Sequence, residues 1–175
     1  MRRLNGGRHR QVLFTDEKVF TIEEVVNKQN DRIYARSNPH LTVPRSAHPK
    51  SIMVFAGICY DGKTPLIFVP QGVKVNVTNY LDLLKTHVLP WSKQHFGRKK
   101  WIYQQDGAPA HKAKTVQDFC KSNFPDFISY NEWLPNSPDC NPMDYSVWSV
   151  LEAKACSKNH SSIESLKKIL GGSLE

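Results

Sequence analysis

The chain has 175 residues, a length that fits one domain and falls short of two well-built ones. Its 39% hydrophobic and 10% aromatic content excludes a disordered chain, and no apolar run approaches the roughly 18–20 residues of a membrane span. Twenty-four Lys and Arg against 16 Asp and Glu leave a net charge of +8, which points to a polyanionic partner, most simply nucleic acid.

Residues 1–10 carry Arg2, Arg3, Arg8 and Arg10 and read as a basic lead-in without the apolar stretch of a signal peptide. Residues 11–15 form a short apolar run, a predicted buried strand closed by Asp16, and residues 19–22 suggest a second short strand. Residues 23–50 are polar and turn-rich, with 33–35 a further candidate strand. Residues 51–59 are continuously apolar and too short for an ordinary helix, so they predict a central strand. A turn over 60–63 returns the chain as a hairpin partner at 65–69. Leu81, Leu84 and Val88 then recur at helical spacing, with Asn76 or Thr78 as N-cap and Pro90 as the expected stop. Residues 101–105 predict a strand ending at Asp106. Ala113, Val116, Phe119 and Cys120 line a second helix, and 127–128 suggest a last short strand. Asn141-Pro142 opens a final helix whose buried face is expected to be Met143, Val147, Val150 and Leu151. This order predicts an α/β, RNase H-like fold: a mixed five-stranded sheet flanked by helices. Residues 11–170 are taken as the domain, and 171–175 as a vector-derived tail.

The four cysteines, Cys59, Cys120, Cys140 and Cys156, have no Cys-x-x-Cys pairing, so neither a spaced zinc motif nor a disulfide scaffold is expected. Three acids stand out instead. Asp16 and Asp106 end strands that the predicted topology makes neighbours, and Asp144 lies in the first turn of the last helix. Clustered carboxylates repel one another, and a hard divalent cation such as Mg²⁺ or Mn²⁺ relieves that cost. Two such ions suit phosphodiester chemistry. Taken singly, each acid reads as a structural turn or helix-start residue; it is the set of three that reads as catalytic.

The surrounding strings are more specific. Thr15-Asp16-Glu17-Lys18-Val19-Phe20, Gln104-Gln105-Asp106-Gly107-Ala108-Pro109-Ala110-His111 and Ser137-Pro138-Asp139-Cys140-Asn141-Pro142-Met143-Asp144 resemble the catalytic-domain motifs of the Tc/mariner transposases. The resemblance runs from about residue 10 to about residue 168. Thirty-seven residues separate Asp106 from Asp144, and the third acid is Asp, which is similar to the mariner-like branch. The resemblance implies a nuclear DDD-type transposase, a DNA endonuclease and strand transferase. It implies that Asp16, Asp106 and Asp144 hold two divalent cations, Mg²⁺ or Mn²⁺. The implied partners are the transposon's inverted-repeat ends, a TA target and a second copy of the chain. Family members carry two helix-turn-helix units ahead of this domain, so an isolated catalytic domain or a truncated copy is expected. The rivals are an inactive, domesticated DNA-binding or assembly module and another RNase H-like nuclease.

His111 is expected either to support the site or to be a partly exposed helix-start histidine. Asn141 is expected to cap the last helix and so orient Asp144. Glu17 should point away from Asp16 on an extended chain. Asp139 reads as a turn residue, and Trp148 as a packing residue. Arg98, Lys99, Lys100, Lys112 and Lys114 are candidates for tracking DNA phosphates, which position a duplex without reading its sequence.

Overall fold

The computed structural model describes residues 7–23, 36–37, 49–133, 140–155 and 159–172. The suggested strand at 33–35, the arginines at 2 and 3, and Asp139 lie outside the described residues. Five strands form one mixed sheet: β1 Val12–Thr21, β2 Ser51–Cys59, β3 Gly62–Lys63, β4 Ile67–Val69 and β5 Ile102–Gln104. β1 runs antiparallel to β2 and parallel to β5, while β3 and β4 both pair antiparallel with β2. The strand that carries Asp16 and the strand that leads to Asp106 are neighbours through the β1–β5 pairing, as the predicted topology requires.

Two expectations about strands need correction. The two short strands predicted over 11–22 are one continuous strand, because Asp16, Glu17 and Lys18 pair in register with Ala56, Phe55 and Val54. Asp16 therefore lies mid-strand, not at a strand end. The predicted strand at 127–128 is reduced to a single parallel bridge from Phe127 to Tyr103, so the fifth strand is supplied by Gly62–Lys63.

Side-chain alternation divides the sheet into two cores. On one face Leu13, Phe55 and Tyr103 pack with Tyr80, Leu84, Val88, Val116 and Cys120. These come from α1 Val77–Leu83, a wide π turn over Leu84–Val88 and, after the short α3 Pro109–Lys112, α4 Lys114–Asn123. On the other face Phe20, Ile52, Val54 and Ala56 pack with Met143, Trp148, Leu151, Leu166 and Leu170. Those come from a second π turn over Met143–Val147, α5 Trp148–Ala155 and α6 Ile163–Gly172. Burying a side chain of this size is worth roughly 1.5–3 kcal/mol, so both faces contribute heavily to the fold.

The two π turns explain the misread helices. Asn76 caps α1 by accepting from the Asn79 N–H at 2.9 Å. Pro90 does not stop this helix; α2 Leu89–Phe96 continues through it. The preceding turn bonds the Leu89 N–H to the Leu84 carbonyl, five residues back, and Pro90 follows at the start of a new α segment, where a missing N–H is cheap. α2 ends at Gly97, whose φ of 56° suits glycine. In the last helix the π turn advances the register by one residue, so Trp148 is buried where the expected Val150 is 52% exposed. α6 runs to Gly172, past the residue-170 boundary drawn from sequence.

Candidate active site

Asp16 sits on the face of β1 that meets α5. It is only 8% exposed, and its Oδ2 accepts the Trp148 indole N–H at 2.6 Å. Trp148 also packs edge-on against Phe20, so the predicted packing role is joined by a hydrogen bond that sequence reasoning missed. Asp144 projects from the π turn within hydrogen-bonding reach of Asp16. Burial pushes Asp16 up to about 7, against the Trp148 hydrogen bond, and Asp144 and Glu17 add repulsion. Asp144 is also raised, first by what burial it has and then by the negative charge of Asp106, while its bond to Asp16 and the nearby Lys18 work against this.

Asn141 places this pair. It is fully buried, its Oδ1 accepts the Met143 N–H at 3.1 Å, and its Nδ2 donates to the Thr15 carbonyl at 3.3 Å. One side chain thus caps the helical segment bearing Asp144 and ties it to the residue before Asp16.

Asp106 follows β5 and has a different environment. Its Oδ1 accepts from the Ala108 N–H at 2.9 Å and from His111 Nδ1 at 2.5 Å. Burial works against its charge, but the His111 bond and positive charge, with Ala108 and Lys112, hold its carboxyl below the usual range. His111 is 2% exposed, which removes the alternative of a partly exposed histidine. Burial opposes its protonation, yet Asp106 and Glu17 raise it to about 9, so it stands as an imidazolium at neutral pH. Glu17 does point to the face opposite Asp16, and there its Oε1 lies 3.3 Å from His111 Nε2. That contact is a meeting of charges without hydrogen-bond alignment, since neither atom finds a hydrogen-bond partner.

The glutamines of the central motif are anchors. Gln104 Oε1 accepts from the Thr15 N–H, and Thr15 Oγ1 donates to the Gln104 carbonyl at 2.7 Å. Gln105 Oε1 accepts the Tyr80 hydroxyl at 2.8 Å, and its Nε2 donates to the His111 carbonyl. Tyr80 packs its ring over His111 with centroids 4.0 Å apart. The Gln105 amide, paired at both ends, fixes position because leaving it unpaired is costly. Gln104 is held through Oε1 and its carbonyl, with Nε2 unpaired among the described residues.

Asp16 and Asp144 are therefore drawn together, and Asp106 lies near enough for its charge to act on Asp144. The donor atoms of the three do not all fall within 4.8 Å of one another. The basic residues divide. Lys112 lies beside Gly107 and bears on Asp106. Lys114 is exposed at the start of α4. Arg98, Lys99 and Lys100 are exposed at the far end of β5, where Lys100 and Arg8 line a groove of about 400 Å³ away from the carboxylates.

No protein-family model matches the chain. In sequence it is 28% identical over 163 residues to the transposable element Tc3 transposase of Caenorhabditis elegans, covering 90% of this chain and 46% of that protein. In structure it is similar to the Mos1 transposase paired-end complex with left transposon end, with a TM-score of 0.77 and 21% identity over 95% of this chain and 48% of that one. It is also similar to the crystal structure of the catalytic domain of Mos1 mariner transposase, with a TM-score of 0.65 and 20% identity over 95% and 71% of the two chains.

The fold is that of a mariner transposase catalytic domain.

The predicted RNase H-like architecture, a mixed sheet with helices on both faces, is thereby shown, and the resemblance read from the three motifs extends to the whole domain. The chain spans about half the length of the Tc3 transposase it matches. Among the described residues no helix is long and apolar enough to cross a membrane.

Proposed function

We propose that this chain is the catalytic domain of a mariner-like DNA transposase, in which Asp16, Asp106 and Asp144 hold divalent cations. The observation that carries the reading is the Asp16–Asp144 pair: two carboxylates from distant parts of the sequence, adjoining, with Asp16 raised to about 7. Such a donor set is hard, anionic and unrelieved, which suits Mg²⁺ or Mn²⁺. Mos1 complexes described with Mn and with Mg, and a Mos1 strand transfer complex, support the same reading. When bound, the ions would supply Lewis-acid chemistry at a phosphodiester, favouring attack by an oxygen nucleophile and departure of the opposite oxygen.

This chain's own residues would do the rest. β1 presents Asp16 from a fixed, paired position. Asn141 holds Asp144 against it. His111 holds Asp106 by Oδ1, while the other oxygen accepts no hydrogen bond from the described residues and would face a cation. Lys112 would meet a DNA phosphate at the rim, and Lys114 would extend that contact. Arg98, Lys99 and Lys100 would serve a second, more distant stretch of backbone. Cleavage at transposon ends would use water, and joining to target DNA would use the freed 3′-hydroxyl. Such a protein would act in the nucleus of a eukaryotic cell, and pairing of two ends would call for two copies.

Nicking of supercoiled DNA tests this directly. Metal-dependent nicking in Mg²⁺ or Mn²⁺ is expected, and it should fall roughly a thousandfold or more in Asp16→Ala, Asp106→Ala and Asp144→Ala, since each removes part of the cation's hold. Undiminished nicking in Asp16→Ala or Asp144→Ala would overturn the assignment. Absence of nicking with intact DNA binding would favour an inactive binding module.

A further inference from the structure

We propose that Cys59, Asp61 and His95 form a second cation site, for a soft divalent metal of the Zn²⁺ class, separate from the carboxylate cluster. Three different ligand types meet there from two parts of the fold. Cys59 ends β2, Asp61 lies in the turn that follows, and His95 lies in the last turn of α2. Among the described residues this is the only group of three or more His, Cys, Asp or Glu donors lying within 4.8 Å of one another. Cys59 Sγ is 3.3 Å from His95 Nε2 and 3.5 Å from Asp61 Oδ1, and His95 Nε2 is 3.0 Å from Asp61 Oδ1.

Those separations fit one face of a coordination tetrahedron. Zinc bonds of about 2.3 Å to sulfur and about 2.0–2.2 Å to nitrogen and oxygen place tetrahedral donors roughly 3.3–3.6 Å apart. The Cys59–His95 and His95–Asp61 edges each need to open, by about 0.2–0.5 Å, while the Cys59–Asp61 edge already fits. The mixture of thiol, imidazole and carboxylate favours Zn²⁺ over Mg²⁺, which prefers oxygen alone.

The surroundings hold the ligands in place. Trp91 stacks on the His95 ring at 4.6 Å and 9°. Gly62 makes room for that ring, because a Cβ there would come within 2.4 Å of His95 Cε1. Lys99 approaches Asp61 through Oδ2 at 3.8 Å, leaving Oδ1 to the trio. A hollow of about 480 Å³ lined by Trp91, Gln94 and His95 gives solvent access for entry and for a fourth ligand. Burial pushes the Cys59 thiol up to about 11, so binding must release its proton.

The site is distinct from the catalytic candidate. Asp16 pairs with Ala56, and Cys59 is three residues further along β2, roughly 10 Å at strand rise and on the opposite face of the sheet, where it packs with Phe55. A bound ion would clamp the β2–β3 turn to the end of α2.

Co²⁺ is the probe, because a thiolate ligand gives it a near-ultraviolet charge-transfer band that carboxylates cannot produce. With the whole chain, the band is expected to saturate at one equivalent and to vanish when Zn²⁺ is added. It should be lost in Cys59→Ser and kept in Cys120→Ser and Asp16→Asn. Asp61 is exposed on a turn, so Asp61→Asn tests the site without threatening the fold. It should weaken binding at least about tenfold, more than the loss of an outer hydrogen-bond partner costs at its mildest. Zn²⁺ should raise the melting temperature of the parent and not of Cys59→Ser. No charge-transfer band, a band that survives Cys59→Ser, or unchanged affinity in Asp61→Asn would overturn the proposal. None of these outcomes bears on the nicking assay.

Discussion

Asp16 on β1 and Asp106 just past the end of its parallel neighbour β5 are the same residue type, and the fold treats them in opposite ways. Asp16 faces the α5 side, buried with an indole donor and another carboxylate beside it, and is raised to about 7. Asp106 faces a buried imidazolium and a backbone N–H, and is held low. The sheet separates the two environments: Glu17, one residue from Asp16, points through to the His111 side. The half of the site around Asp106 is charge-balanced by protein. The half around Asp16 and Asp144 is not, and that imbalance is what a cation would correct.

The largest way to break this contrast is to neutralise each acid in turn and measure metal-free stability. At pH 8, Asp16→Asn should stabilise the fold by as much as a few kcal/mol, because a factor of ten in proton affinity is worth about 1.4 kcal/mol and the amide still accepts from Trp148. Asp106→Asn should do the reverse. It strips a buried imidazolium of its counter-ion, costing about 1–2 kcal/mol, toward the low side because the Asp106 side chain is 38% exposed. Denaturant unfolding of both variants without divalent ions checks the opposite signs. Two changes of the same sign would remove the comparison.

The same contrast predicts a pH profile. Asp16 is raised on folding, so its contribution is full below about pH 4 and is lost as pH climbs through about 7. His111 is raised to about 9, so its contribution is full below about 6.5 and is lost as pH rises through 9. Asp106 is lowered, so its contribution holds above its usual value near 4 and is lost in acid. Melting temperatures of the metal-free chain should thus decline from pH 4 to 7 and again toward 9. Asp16→Asn should flatten the first decline except for the share owed to the raised Asp144, and His111→Gln should remove the second while moving the acid loss at Asp106 to higher pH.

Much of this arrangement was legible as motif strings and little of it as geometry. The three aspartates, His111 and Asn141 stand inside recognisable sequences, and the β1–β5 pairing follows from the order of elements. The continuity of β1 was hidden because Asp16-Glu17-Lys18 interrupts its apolar pattern while still pairing with β2. The π turn explains why Val150, selected at 3.6-residue spacing, is exposed; Trp148 reads as a packing residue from sequence, and only its hydrogen bond to Asp16 goes unseen there. Glu17 was rightly turned away from Asp16, but a strand pattern cannot say what waits on the other face, and His111 is 94 positions away. Cys59, Asp61 and His95 escaped because metal motifs are sought at short cysteine spacings, while this trio is assembled across a turn and a distant helix.

Trp148→Phe sharpens the contrast more gently. Phenylalanine keeps most of the ring packing against Phe20 and removes only the N–H that Asp16 accepts. Asp16 would then rise further above its present value, and its ionised form should lose about 1.5–3 kcal/mol, the usual worth of a hydrogen bond to a charged group. The loss should appear above pH 7 and shrink below pH 5, where Asp16 is protonated in either protein. A loss of equal size at both values would mean that packing, not the hydrogen bond, is what Trp148 contributes.

The smallest effect belongs to Lys112, on the balanced side. It is exposed and bears on Asp106, so Lys112→Ala should leave melting nearly unchanged, within about 0.5 kcal/mol. If its ammonium meets a DNA phosphate, the variant should bind DNA more weakly at low salt, and the slope of log affinity against log salt should fall by about one. Lys100→Ala should reduce the slope equally if DNA reaches the groove at the far end of β5. Because the two lysines flank opposite ends of that strand, a change in one slope and not the other would define which end of the sheet the duplex crosses. A duplex confined to the Lys112 end would lie against the carboxylates alone, and the +8 charge would then serve chemistry at one edge of the sheet.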